Sequence, residues 1–321
     1  MAEAYGPRGL LRRAWAVNPP LAGAGILLGL TTVAALVGLV VDPREITGQP
    51  AWAKPARFAF SFGLYALTLM WLLTFVRGRP RLVALISWVT AIGVVLEVAW
   101  ACRAAAAGTT SHFNFTTGAL NNLTLTALVV ISLVTLMTLL TIGLLLWQRV
   151  EPPALAWALR LGLILVVVGM ATATLMVTPT PLQEAAADRG HGMPLVGAHT
   201  VGRPDGGPGM PITNFSTTAG DLRVPHFVGV HAVQALAVLG LLLTLGPRVL
   251  GPRHRTTLVW IAAAGLLGLT LILTWQARRA QPLTSPDTAT TTALIILAAV
   301  TAAATTAVFW HARTTSPETS R

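Results

Sequence analysis

Eight stretches of this chain are each apolar over about 20 residues, the length a helix needs to cross the hydrocarbon core of a bilayer. They run 21–41, 57–76, 82–102, 121–147, 155–177, 226–246, 256–275 and 291–310. Backbone amides and carbonyls inside lipid must pair within their own segment, so these stretches are expected to be helices. The expected fold is therefore all-α: a polytopic transmembrane helical bundle of about eight spans. Residues 1–321 are read as one transmembrane domain. Three segments begin at a proline suited to a helix's first turn, Pro55, Pro153 and Pro225.

Composition narrows the class. Only 10% of the 321 residues are charged and 54% are hydrophobic. Soluble domains carry about 25% charged residues, so a soluble enzyme is excluded. A formal charge of +11 would point to nucleic acid on a soluble chain. Here the basic residues have another role, because Lys and Arg held on the cytoplasmic side set topology, and no nucleic-acid partner is expected. With the N-terminus inside, the inner segments hold thirteen basic residues and the outer ones nine. The acids sharpen the contrast, with three inside and seven outside. Both termini are expected to be cytoplasmic, in a plasma membrane. The apolar run 21–41 follows Arg8, Arg12 and Arg13, but it is too long for a signal peptide and no A-x-A site follows it, so it reads as a retained first span. The single Cys102 forms no internal disulfide.

Most connections are short. The exception runs from 178 to 225 on the outer side and is rich in Gly and Pro. Its composition gives it little core of its own, and it is expected to fold back over the helix ends as a cap. N-F-T-T-G-A-L (114–120) and N-F-S-T-T-A-G-D-L (214–222) form a faint internal echo, each ahead of an inward-going span.

Ionisable residues within spans are costly and mark function by default. Glu97 in the third span and His231 in the sixth lie at matching depths, about 7–9 Å below the outer interface at 1.5 Å per residue. They are the expected proton-transfer pair. Gln234 lies one turn below His231. Arg103 and Arg223 are expected to contact an anionic group. His112, Asn114, Asp221, His226 and Gln234 are expected to orient a small or lipidic ligand. Lys54 and Arg57 fit snorkelling side chains, and His191 and His199 a solvated loop.

Other readings stay open at this stage. A metal site would draw on His112, His226 and His231 with Glu97 or Asp221. However, H-F-V-G-V-H (226–231) sets its histidines about 140° apart on a regular helix, which suits no single ion. Haem would need a loop histidine opposite His231. Transport would need a polar route through inner span halves that hold few ionisable residues. A structural protein would use the same polar groups only for packing, with a partner on the outer cap. No cofactor, metal or oligomeric state follows from the residues.

The strings S-H-F-N (111–114), G-A-H-T-V-G-R-P-D-G-G-P-G (197–209) and G-D-L-R-V-P-H-F-V-G-V-H-A-V-Q (220–234) resemble a family of uncharacterised multi-pass membrane proteins of actinobacteria and their relatives. The resemblance extends from K-P-A-R-F (54–58) to the sixth span. It implies a bacterial plasma-membrane setting and supplies no reaction. Membrane hydrolases related to alkaline ceramidase carry Ser-x-x-x-His and His-x-x-x-His elements, whereas this chain has adjacent Ser111-His112 and His226 spaced five from His231. Walker, HExxH and CxxC patterns are absent from the sequence, as is a GxGxxG fingerprint after a strand.

Overall fold

A computed structural model describes residues 7–246 and 249–315, with only the backbone of 7–11. Of the charges counted for topology, Glu3, Arg248, Glu318 and Arg321 lie outside the described residues, as does the side chain of Arg8. Eight helices among the described residues are long and apolar enough to span a membrane. The all-α polytopic bundle is thus the observed architecture, and lipid is its implied surroundings. Most of the helices begin two to four residues before the apolar runs do, because their first turns are polar or hold proline. The third, for example, starts at Pro80 with Arg81 in its first turn.

Packing divides the chain into two compact units, Met1–Leu144 with Pro179–Gly197, and Leu145–Thr178 with Ala198–Arg321. In the first unit, a short helix α1 (Pro7–Val17) leads into the span α2 (Pro19–Val41). Asn18 makes that junction. Its side chain accepts from the amide of Leu21 as an N-cap and donates to Ser87 Oγ at 2.7 Å. The spans α3 (Ala53–Leu73) and α4 (Pro80–Ala106) pack on α2 around Leu21, Leu28, Ala59, Leu69, Ile86 and Val94. The fourth span, α5 (Gly118–Leu146), joins α3 and α4 where Tyr65 meets Thr138 at 2.6 Å and Val134 packs on Gly93. The link between α2 and α3 is a two-stranded hairpin, β1 (Glu45–Ile46) with β2 (Gln49–Pro50). Its turn residues Thr47 and Gly48 both have positive φ, the geometry whose twist suits a two-residue hairpin.

In the second unit, α6 (Pro153–Thr174) is the hub. Against it pack α8 (Arg223–Val230), α9 (Ala232–Thr244) and α10 (Pro252–Arg278), and α11 (Thr288–Thr315) packs on α10. Ala158, Leu161, Leu165, Leu236 and Val259 fill the core. Only Thr290 and Ala312 of α11 are buried. Clasps hold each end of this helix: His254 Nε2 meets His311 Nδ1 at 2.9 Å, and Arg279 pairs with Asp287. Arg160 within α6 donates to the carbonyls of Leu145 and Gln148, satisfying acceptors left at a helix end.

The structure changes two expectations about local form. The 178–225 segment is not without structure of its own. It holds the helix α7 (Pro181–Asp188), opened by a capping box between Thr180 and Gln183, and a short ladder of β3 (Thr200–Val201) with β4 (Gly220–Asp221). Its first part belongs to the first unit and its second part to the second. The sixth span, moreover, is not one regular helix. It is interrupted at His231, between α8 and α9. Just before the interruption the chain runs against α6: a Cβ at Gly229 would come within 2.5 Å of Gly169 Cα. Backbone-to-backbone approach sets the local path there.

Candidate polar relay near one membrane boundary

Glu97 lies on α4, nine residues before its end, with a side chain 1% exposed. Beyond Ala106 the chain turns sharply. The amides of Gly108 and Thr109 return to the carbonyls of Ala105 and Ala104, and Gly108 has φ +68°, which a residue without Cβ adopts freely. The turn sends 109–117 back over the last turns of α4. Thr124 on α5 fixes this connector by donating to the carbonyls of Ser111 and Asn114. Residues 194–196 run alongside, with the Val196 amide on the Phe113 carbonyl and the Phe115 amide on that of Pro194. This part of the long loop does fold over helix ends.

The turn delivers His112 to Glu97. His112 Nε2 lies 2.9 Å from Glu97 Oε2, and its Nδ1 lies 2.9 Å from Ser111 Oγ. Phe58 packs against the imidazole, with ring centres 5.5 Å apart. Lys54 Nζ sits over the rings of Phe58 and Phe113, and its charge reaches Glu97. Three atoms of this region stand buried without a hydrogen-bond partner among the described residues: Glu97 Oε1, Trp100 Nε1 and Thr110 Oγ1. Buried polar atoms are paired in nearly all native structures, so a lone carboxylate oxygen and an indole N–H one helical turn away call for a ligand or ordered water.

The chain Glu97–His112–Ser111 has two self-consistent proton arrangements. With Glu97 ionised, Nε2–H donates to the carboxylate and Nδ1 accepts from the Ser111 hydroxyl. With Glu97 protonated, its O–H donates to Nε2 and Nδ1–H donates to Ser111 Oγ. The two arrangements differ by one proton, so the chain can take up or release a proton while both hydrogen bonds remain made. Ser111 is 1% exposed, so its hydroxyl is not presented as an acyl-transfer nucleophile would be.

Glu97 and His231 fall in different units, and within the first unit the imidazole paired with Glu97 is that of His112. Asn114 is buried and holds the connector, bonding Thr109 and the backbone and hydroxyl of Thr116. Arg103 is exposed.

The other candidates gather in the second unit. Asp221 is buried and takes the Ser216 amide at 2.7 Å and the Arg223 guanidinium at 2.6 Å. Arg223 also donates to the Asn214 carbonyl and lies over Phe215. These bonds hold the loop before α8. His226 Nδ1 lies 2.8 Å from the Gly169 carbonyl and therefore carries the proton, leaving Nε2 as its second site. His231 lies against Phe227 with ring centres 4.5 Å apart and planes tilted by 54°, and Gln234 hydrogen-bonds its side chain. His226 is within electrostatic reach of both His231 and His199. His199, expected in a solvated loop, is instead held by Asp205, which also accepts from the amides of His199 and Thr200 and from the Thr200 hydroxyl. Burial alone would raise the Asp205 carboxyl. The His199 hydrogen bond and charge, with the Thr200 and backbone donors, outweigh it and hold the group well below the ordinary carboxylate range. Among the described residues, no three His, Cys, Asp or Glu side chains are placed to share a metal ion.

The sequence pointed to Glu97 and His112 but passed over Ser111 and Trp100. Ser111 was visible as the neighbour of His112. In sequence, a tryptophan near the end of a span reads as an interfacial anchor, and only the buried N–H distinguishes Trp100. No family model, curated protein or solved structure matches the chain.

Proposed function

We propose that this integral membrane protein binds a small or lipidic ligand at the Glu97–His112–Ser111 relay and exchanges a proton with it. A plasma-membrane location with both termini cytoplasmic belongs to this reading. The observation that carries it is the pair of buried, unpartnered groups beside the relay: an acceptor at Glu97 Oε1 and a donor at Trp100 Nε1. A hydroxyl group, donating to Glu97 Oε1 and accepting from Trp100 Nε1–H, would satisfy both, and the carboxylate is already wired to a histidine and a serine. Lys54 would balance the charge of Glu97 while the proton is away. In the second unit, His226 and Gln234 are proposed as contacts for a ligand of that unit's own, and His231 as its proton-transfer group, the roles the sequence reading gave them.

The test is mass spectrometry of the small molecules and lipids that co-purify with the intact protein, compared with Glu97→Gln and Trp100→Phe. Glu97→Gln keeps the size of the side chain while altering the unpaired carboxylate, and Trp100→Phe keeps an aromatic ring while removing the indole N–H. A compound retained by the native protein and depleted in both variants supports the reading. Identical extracts from all three proteins refute it.

A further inference from the structure

Among the described residues, one end of the first unit's helices carries charge of a single sign. Five exposed arginines meet there from two separate segments: Arg12 and Arg13 on α1, and Arg77, Arg79 and Arg81 in the R-G-R-P-R connector between α3 and α4. The Asn18–Ser87 hydrogen bond ties the start of α2 to the second turn of α4, which places these segments at the same end. Neither 12–18 nor 74–83 contains an acidic residue. The opposite end is balanced, and there Arg44 pairs with Asp42. The connector stands open, with nothing within 4 Å of where a Cβ at Gly78 would lie.

The helix carrying Arg12 and Arg13 also presents apolar surface. Trp15 and Val17 are each 54% exposed, and the Trp15 ring lies 3.5 Å from the Cβ position of Gly23, beside the first turns of a membrane span. A partner for this surface must offer a charged layer directly over an apolar one, at the depth where α2 enters the bilayer. Nucleic acid and acidic proteins offer the first without the second. A lipid leaflet offers both, and an indole with arginines on a short helix is the composition that seats at headgroup level.

We propose that this end of the first unit is a binding surface for anionic phospholipid headgroups, formed by Arg12, Arg13, Arg77, Arg79 and Arg81 with Trp15 as its apolar anchor. Lipid phosphates would occupy the arginine connector while the acyl chains lie along α2 and α4. Each basic residue near the surface contributes to such attraction, and salt weakens it.

The experiment is native mass spectrometry of the full-length protein released from micelles containing equal amounts of phosphatidylglycerol and phosphatidylcholine. The native protein is expected to retain phosphatidylglycerol with a preference of about tenfold, falling as salt is raised. Arg77→Gln/Arg79→Gln/Arg81→Gln should cut the preference several-fold, and adding Arg12→Gln/Arg13→Gln should abolish it. Arg189→Gln, at the balanced end, should leave it unchanged. Equal retention of both lipids by the native protein overturns the proposal whatever the variants do. So does an undiminished preference in a five-arginine variant that keeps native helix content. Loss of preference with Arg189→Gln to the same extent would also overturn it, since the effect would then be net charge alone.

Discussion

At the residue scale, the relay's stability depends on which partner is removed. His112→Ala leaves a buried carboxylate without its imidazole, a change that costs about 3–5 kcal/mol when the charge remains. Glu97→Gln keeps a hydrogen-bonding side chain of the same size and should cost about 1 kcal/mol. The double variant should therefore be more stable than His112→Ala alone. Thermal melting of the three proteins checks this, and a double variant less stable than both singles would show that Glu97 carries no charge in the resting protein. Asp205 gives a second case with a defined sign. Its carboxyl is held below the ordinary range by its donors, so its contribution is fully present above that range and is lost as pH falls through and below it. Hydrogen exchange at the His199 and Thr200 amides, corrected for the intrinsic rate, should stay slow from pH 7 down to about pH 5 and quicken only at lower pH. Asp205→Asn should quicken it about tenfold already at neutral pH. Protection lost by pH 6 in the native protein would contradict the assignment. Glu97 was legible in the sequence because a lone carboxylate stands out in an apolar span. Its partner was not. His112 lies fifteen residues on, and only the turn at Gly108 returns it to α4, whereas matching depth along the spans suggested His231 instead.

At the element scale, helix contact in the second unit depends on the absence of side chains at one crossing. A Cβ at Gly169 would lie 2.5 Å from the Val230 amide nitrogen, and one at Gly229 would meet Gly169 Cα at the same distance. Backbone atoms cannot swing aside, so Gly169→Ala or Gly229→Ala should force α6 and α8 apart at about 1–3 kcal/mol each. Gly143→Ala is the internal control, because nothing lies within 4 Å of its Cβ position. A helix interior prefers alanine, so that variant should melt at or slightly above the native temperature. Equal destabilisation by all three would count against the close approach. The eight spans were legible because lipid imposes length and apolarity on each of them separately. The interruption at His231 was not, because no proline marks it and its setting is the meeting of Gly229 with Gly169, sixty residues earlier in the chain. The helix Pro181–Asp188 is a different case. Thr180 and Gln183 carry its capping signature, but the surrounding Gly and Pro content masked it.

At the scale of the whole molecule, an even number of spans returns the chain to the face it started from, and the proposed orientation puts the arginine-rich face in the cytoplasm. The third span makes the argument testable at both of its ends. It begins beside Arg79 and Arg81, on the end of the first unit rich in arginine, and finishes near Ala107, which is exposed. Thr315, also exposed, closes α11. The native thiol of Cys102 is half-buried in α4 and would compete with any introduced probe, so Cys102→Ala is the background. In that background, Ala107→Cys should react with an impermeant maleimide on intact cells, and Thr315→Cys only after lysis. The reverse pattern would keep eight spans and invert the protein, placing the relay of Glu97 and His112 near the cytoplasm. Labelling of both positions on intact cells is the outcome that would break the topology itself, because residues 107 and 315 are separated by five crossings and an odd number must change sides.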